Sequence, residues 1–305
     1  MYNDFFVKLS ALLPKDCVLF DVPLKNMTTM RVGGNAACLI EASSEAVVQR
    51  TLDFVRTHAI PLLIIGNGSN MIISDHGFPG VVLHISKNFA DIRCDGELIT
   101  AQAGAMLPAL SRLAADNSLT GLEFASGIPG SVGGAVVMNA GAYGGEMKQV
   151  LQAVTVLADN EIITLPVDAL NLSYRHSIFM DHPEWIVLSA TFRLASGDKV
   201  QILAQMNDLN ARRREKQPLQ YPSSGSFFKR PEGHFAGALI ENAHLKGFSI
   251  GGAQVSSLHA GFVINTGNAT ANDIYQLMKH VQKTVYDAFQ VELHPEVRLI
   301  GEFEK

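Results

Sequence analysis

The sequence predicts an α+β protein in two domains, residues 1–200 and 201–305. Its 305 residues suffice for two domains at roughly 100–200 residues each. Through the first half, short apolar strand segments alternate with helices whose apolar residues recur at helical spacing. Around Gly197 the alternation gives way to a long polar helix and then to a proline-bearing segment, which marks the junction.

A short helix is expected first. Cys38-Leu39-Ile40 reads as a strand, followed by a helix capped by Ser43 or Ser44 and apolar at Val47, Val48, Leu52 and Val55. Pro61 ends that helix, and Leu62–Ile65 is a buried strand running straight into Gly66-Asn67-Gly68-Ser69-Asn70. A second capped helix, around Leu107 to Asn117, precedes the glycine-rich stretch Gly127–Gly134. Strands are expected at Val150–Leu157, Glu161–Leu165 and Trp185–Leu194. The long polar helix ends in Arg212-Arg213-Arg214-Glu215-Lys216. Beyond it, Gln217–Gly225 carries Pro218 and Pro222, so it makes a poor helix or central strand and reads as a hinge or a site-forming loop. A helix over Ala236–Asn242, an alternating strand over Ala260–Asn265 and a helix over Ala271–Phe289 follow. The last strand, Val297–Phe303, is free to return to the first domain.

Composition narrows the class. Hydrophobic residues make up 47% and charged residues 17%, which suits a packed globular chain and excludes disorder. The net charge of −5 argues against a protein that coats nucleic acid. No apolar run approaches the roughly 18 residues of a membrane span, and Met1–Phe6 lacks the basic start of a signal peptide. Cys17, Cys38 and Cys94 form no C-x-x-C pair and read as reduced thiols of a cytoplasmic protein. The histidines show no metal-ligand spacing and no G-x-S-x-G elbow occurs, so neither a metal site nor a serine hydrolase is expected.

Several segments could carry chemistry. Gly127-Ile128-Pro129-Gly130-Ser131-Val132-Gly133-Gly134 exposes main chain, and successive N–H groups in such a loop can hold a diphosphate. Its spacing matches neither a Rossmann turn nor a P-loop, which points to a nucleotide cofactor on a less common fold. Gly66–Asn70 alone is a tight turn, but beside a second glycine loop it suits the other wall of a cradle. Thr29-Met30-Arg31-Val32-Gly33-Gly34 is either a plain loop or an arginine set against a phosphate or an acidic ring edge. Tyr174-Arg175 is either solvated surface or a planar donor to a carboxylate. Ser226 is a turn residue or a proton donor at a hydrophobic pocket, with Lys229 and Arg230 near enough in sequence to hold phosphates. Glu296 is a solvated strand start or a general acid–base.

Taken in order, Thr28–Gly34, Gly66–Asn70, Gly127–Gly134, Met138–Glu146, Tyr174-Arg175, Gly225–Pro231 and Pro295–Arg298 resemble the UDP-N-acetylenolpyruvoylglucosamine reductases, also called UDP-N-acetylmuramate dehydrogenases. The resemblance spans about residues 28–300. It implies a two-lobed FAD-binding domain of the vanillyl-alcohol-oxidase (PCMH) type over 1–200, and a smaller α+β substrate domain over 201–305. It implies FAD contacts at Arg31, Gly66, Asn67, Gly68, Ser69, Asn70, Gly127, Ile128, Pro129, Gly130, Ser131, Gly133 and Gly134. The family's catalytic arginine, serine and glutamate fall on Arg175, Ser226 and Glu296. Substrate contacts fall on Tyr174, Lys216, Lys229 and Arg230, the last where some members carry asparagine. The chain is similar to the shorter members, which lack an extra tyrosine-bearing loop over the substrate.

The activity so implied uses NADPH to reduce an enolpyruvyl ether of UDP-N-acetylglucosamine to UDP-N-acetylmuramate, in cytoplasmic peptidoglycan precursor synthesis. Small molecules are its only implied partners, with no nucleic acid, membrane or obligate protein. Two rival readings stand beside it: another FAD-dependent alcohol or sugar oxidoreductase, and a non-catalytic nucleotide-sugar-binding protein.

Overall fold

The computed structural model describes residues 3–304 and divides the chain into two compact units. Among the described residues, the first comprises 3–19, 38–67 and 80–213; the second comprises 20–37, 68–79 and 214–304. Met1 and Tyr2, where the N-terminal reading begins, lie outside the described residues.

In the first unit, strand Leu62–Ile65 runs parallel to residues 81–84 of strand Phe78–His84, with Leu62 opposite Val81 and Ile65 opposite His84. Its unbroken apolar run fits a strand covered on both faces. Helix Glu45–Thr57 is capped by Ser44, whose hydroxyl accepts the Val47 N–H, and buries Val47, Val48, Leu52 and Val55 as the spacing predicts. The second expected helix forms over Leu107–Asp116, but its N-cap is Met106, with no side-chain cap. Pro108 starts it instead, because proline's fixed φ and missing N–H suit a first helical turn. A five-stranded antiparallel sheet has the order Glu161–Pro166, Leu151–Ala158, Ile186–Arg193, Leu98–Gln102, Ile92–Asp95. The short helix Val132–Val137 lies against strand Ile186–Arg193.

The second unit is built on a sheet of order Ser223–Ser226, Phe262–Asn265, Ala253–Val255, Ser249–Ile250, all antiparallel. Helices Ala236–Asn242 and Ala271–Phe289 pack with it around Phe227, Ile240, Val263, Ile274 and Val281. The longer helix opens on a reciprocal cap: Thr270 Oγ1 accepts the Asp273 N–H and Asp273 Oδ2 accepts the Thr270 N–H. Met30, Val32 and Ile72, distant in sequence, belong to the same core. The last strand, Arg298–Ile300, pairs in parallel with Met71–Ile73 of this unit. No helix among the described residues is long and apolar enough to cross a membrane.

Candidate functional site

The first unit brings the beginning of one glycine loop onto the other. Asn67 Nδ2 donates to the Pro129 carbonyl at 2.7 Å. Ser131 Oγ packs so closely on Gly66 that a Cβ at residue 66 would overlap it. Only glycine permits that approach. The start of the larger loop is braced from the helix Lys199–Lys216: Asn210 Nδ2 donates to Ser126 Oγ at 3.2 Å, and Arg213 Nη1 donates to the Gly127 carbonyl. Sequence reasoning missed both braces, since an asparagine and an arginine on a polar helix look like solvated surface.

The larger loop does not present the row of open amides expected of it. The N–H groups of Ile128, Gly130, Val132 and Gly133 donate to main-chain carbonyls, and that of Gly134 faces Ser131 Oγ at 3.4 Å. Turn bonds to the Ala125 and Ile128 carbonyls, and bonds to the Ala105 and Ala103 carbonyls outside the loop, satisfy these donors, so they are not open to a ligand.

Tyr174 and Arg175 are the two central residues of a tight turn closed by mutual N–H to carbonyl bonds between Ser173 and His176, both 3.2 Å. Arg175 has φ 54°, left-handed for a non-glycine residue, and its Nη2 donates to the Gly141 carbonyl at 3.1 Å. Tyr174 is 52% exposed. Such backbone strain costs about 1–3 kcal/mol and concentrates at functional sites. Arg31 in the second unit shares it, at φ 58°.

In the second unit a run of hydrogen bonds joins four separated motifs. The Thr29 N–H donates to the Gly68 carbonyl at 3.2 Å, and Thr29 Oγ1 donates to the Ser223 carbonyl at 2.7 Å. Asn70 Nδ2 donates to the Glu296 carbonyl at 3.2 Å. The Glu296 N–H donates to the Phe227 carbonyl and the Lys229 N–H to the His294 carbonyl, at 2.9 and 2.8 Å. Residues 227–229 therefore run antiparallel beside 294–296, and this sets the backbones at Ser226 and Glu296 next to each other.

Ser226 owes its placement to a bulge. Ser223 pairs with Ile264 and Ser226 with Phe262, so the strand carries one residue more than its partner between those pairs. Gly225 absorbs the irregularity at φ 75°. Bulges of this kind re-aim a side chain, here an exposed serine. Within the bulge, Ser224 Oγ is buried with no hydrogen-bond partner among the described residues, which fits a site built to receive a polar ligand. Arg230 lies over the Phe235 ring, 4.0 Å from its centroid, and Lys216 is the exposed last residue of its helix. No group of three or more His, Cys, Asp or Glu side chains is placed to hold a metal among the described residues.

The chain matches two family models: an FAD binding domain over residues 36–166, and the C-terminal domain of UDP-N-acetylenolpyruvoylglucosamine reductase over 217–300. It is 50% identical to the UDP-N-acetylenolpyruvoylglucosamine reductase of Agathobacter rectalis, over 99% of this chain and 100% of that one. The crystal structure of UDP-N-acetylenolpyruvylglucosamine reductase from Thermus caldophilus superposes with a TM-score of 0.79 at 34% identity, covering 93% of this chain and 98% of that one. Phl p 4.0202, a glucose dehydrogenase, shares the fold alone: TM-score 0.52 and 14% identity, over 65% of this chain and 45% of that one.

Proposed function

The chain belongs to the UDP-N-acetylenolpyruvoylglucosamine reductase family, and from that premise we propose that Arg175, Ser226 and Glu296 carry out an NADPH-driven reduction of enolpyruvyl UDP-N-acetylglucosamine. FAD, when bound, would supply the hydride chemistry that links NADPH to the methylene carbon of the enolpyruvyl ether. The protein's part is to hold the substrate, stabilise charge and supply a proton.

Residues 1–200 carry the cofactor in this reading, with Arg31, Gly66–Asn70, and Gly127–Ser131 with Gly133 and Gly134 against it. Residues 201–305 carry most of the substrate contacts. Lys216, Lys229 and Arg230 supply positive charge for the diphosphate, and Tyr174 lines the substrate. Negative charge develops on the carboxylate side of the enolpyruvyl group as the hydride arrives, and fixed donors aimed there lower the barrier. Arg175, whose planar guanidinium suits a carboxylate, takes that role with Glu296 assisting as a protonated or water-bridged acid. Ser226 Oγ then donates a proton to the carbon beside the carboxylate, which gives the lactyl ether of UDP-N-acetylmuramate.

The observation that carries this reading is the antiparallel pairing of residues 227–229 with 294–296, which brings the backbone of a candidate proton donor beside that of a candidate carboxylic acid. A sugar or alcohol oxidase on the same scaffold is disfavoured, because the match over 217–300 lies outside the FAD binding domain. A non-catalytic nucleotide-sugar binder is disfavoured too, since all three candidate catalytic residues are present. Small molecules suffice as partners, with no nucleic acid, membrane or obligate protein. Free thiols at Cys17, Cys38 and Cys94 agree with a cytoplasmic site of action.

An anaerobic flavin spectrum tests the reading. NADPH should bleach the bound flavin, and enolpyruvyl UDP-N-acetylglucosamine should restore its colour. A flavin that simple alcohols bleach, or one that NADPH bleaches and that oxygen but not enolpyruvyl UDP-N-acetylglucosamine restores, would overturn it.

A further inference from the structure

We propose that Asn139 is the positioning residue for Arg175, one buried carboxamide holding both the turn that carries the arginine and the hairpin that receives its guanidinium. Asn139 follows the helix Val132–Val137, is fully buried and has φ 40°. Its Nδ2 donates to the Ser173 carbonyl at 3.0 Å and to Glu146 Oε2 at 3.1 Å, while its Oδ1 accepts the Lys148 N–H at 2.9 Å. The orientation is self-consistent: a flipped amide would set its oxygen against two acceptors and its nitrogen against a donor.

Each bond reaches a different support of Arg175. The Ser173 carbonyl also closes the turn by accepting the His176 N–H, so Asn139 anchors the residue from which the Tyr174-Arg175 turn springs. Arg175 occupies a left-handed turn position where glycine or asparagine is usual. A side chain persists there only if its surroundings over-determine it. Glu146 ends the small hairpin in which Gly141–Ala142 pairs with Gly145–Glu146 around Tyr143 and Gly144, at φ 53° and 86°. Two successive positive φ angles are the signature of a tight two-residue hairpin. That hairpin presents the Gly141 carbonyl, which accepts the bond from Arg175 Nη2. Ser177 Oγ, donating to the Val137 carbonyl at 2.6 Å, ties the far side of the turn to the same helix end.

Arg175 is thus held at its backbone and at its guanidinium, and Asn139 bonds to the supports of both. Lys148 N–H on Oδ1 keeps the carboxamide from rotating away. The inference rests on Arg175 acting on the substrate, and the test separates the two claims.

The test is a double-mutant cycle of Asn139→Ala and Arg175→Ala, with each half-reaction followed anaerobically by the flavin signal. Asn139→Ala should slow re-oxidation by enolpyruvyl UDP-N-acetylglucosamine by about a hundred-fold, the usual scale for a misplaced group. Flavin reduction by NADPH should stay close to wild type. In the double variant, re-oxidation should be no slower than in Arg175→Ala alone, because the arginine that Asn139 positions is gone. Effects that multiply in the double variant, or half-reactions slowed equally, overturn the proposal. If Arg175→Ala alone leaves re-oxidation intact, the role of Arg175 fails and the proposal falls with it. Should Asn139→Ala lose its flavin or its fold, Glu146→Gln replaces it in the cycle, with a smaller slowing of the same half-reaction expected. No slowing there overturns the proposal as well.

Discussion

Asn70 Nδ2 donates to the main-chain carbonyl of Glu296 at 3.2 Å, and the Arg298 N–H donates back to the Asn70 carbonyl at 3.0 Å, across more than 220 positions of sequence. This exchange continues the parallel ladder of Met71–Ile73 with Arg298–Ile300. It makes the end of the first glycine loop a support for the candidate acid. Asn70→Ala should therefore cost about 1 kcal/mol, the usual worth of such a bond, and slow substrate reduction more than flavin reduction. Urea unfolding with half-reaction kinetics measures both, and a change in stability with no kinetic consequence would count against the support role.

Ser226→Ala should separate the two half-reactions most cleanly. Removing a general acid slows its step by about 10²–10⁴-fold. NADPH should still reduce the flavin at nearly the wild-type rate, while re-oxidation by the enolpyruvyl substrate collapses. Equal slowing of both would remove Ser226 from the role of proton donor.

Gly66→Ala tests the contact between the glycine loops. The new methyl would overlap Ser131 Oγ, and Ser131 also caps the helix Val132–Val137. Overpacking of this kind costs about 1–3 kcal/mol. A lower melting temperature and a lower flavin-to-protein ratio after gel filtration are expected. Wild-type values for both would mean that the loops part without cost.

Acid stability should depend on Glu41. Burial pushes its carboxyl upward, but the hydrogen bond and charge of His84, with the Ser86 hydroxyl and the Lys87 charge, outweigh burial and hold it below the ordinary range. A depressed carboxyl contributes stability that is fully present above its unfolded value, about 4.3, and is lost as pH falls through the folded one. Glu41→Gln should accordingly melt lower than wild type at neutral pH, with the gap narrowing below about pH 4. A gap that widens on acidification would contradict the assignment.

Thiol labelling should distinguish the cysteines. Burial pushes the Cys38 thiol up to about 12, and Cys17 is buried as well, whereas Cys94 is only half-buried. A disulfide reagent near neutral pH should label Cys94 alone in the native protein and all three thiols after unfolding. Rapid native labelling of Cys38 would contradict its burial.

Much of the fold was legible in local pattern. Leu62–Ile65, Ala236–Asn242 and Ala271–Phe289 form over the expected residues, because an unbroken apolar run and a helical apolar stripe with a capping Thr270 are local signals. The last strand is shorter than expected, Arg298–Ile300, since its length is set by its partner Met71–Ile73 and not by its own β propensity. Pairing of its amides decided the face offered by Gly127–Gly134, and no residue type encodes that. Asn139 escaped notice for the same reason. An asparagine two residues before Gly141 looks like a turn residue until its burial and three partners are seen.

The sequence by itself determined the element types, the two glycine loops, the candidate residues Arg175, Ser226 and Glu296, and through their order the family resemblance. These follow from residue chemistry and spacing along the chain. Only the tertiary structure decided which segments share a core: residues 20–37 and 68–79 pack with 214–304, burying Met30, Val32 and Ile72 beside Ile274 and Val281. It also decided that Ser226 is aimed by the bulge at Gly225, that the Glu296 backbone runs beside that strand, and that Asn139 braces Arg175. Burial and hydrogen bonding between distant segments depend on where the chain returns in space, and a linear pattern of residues carries no record of that return.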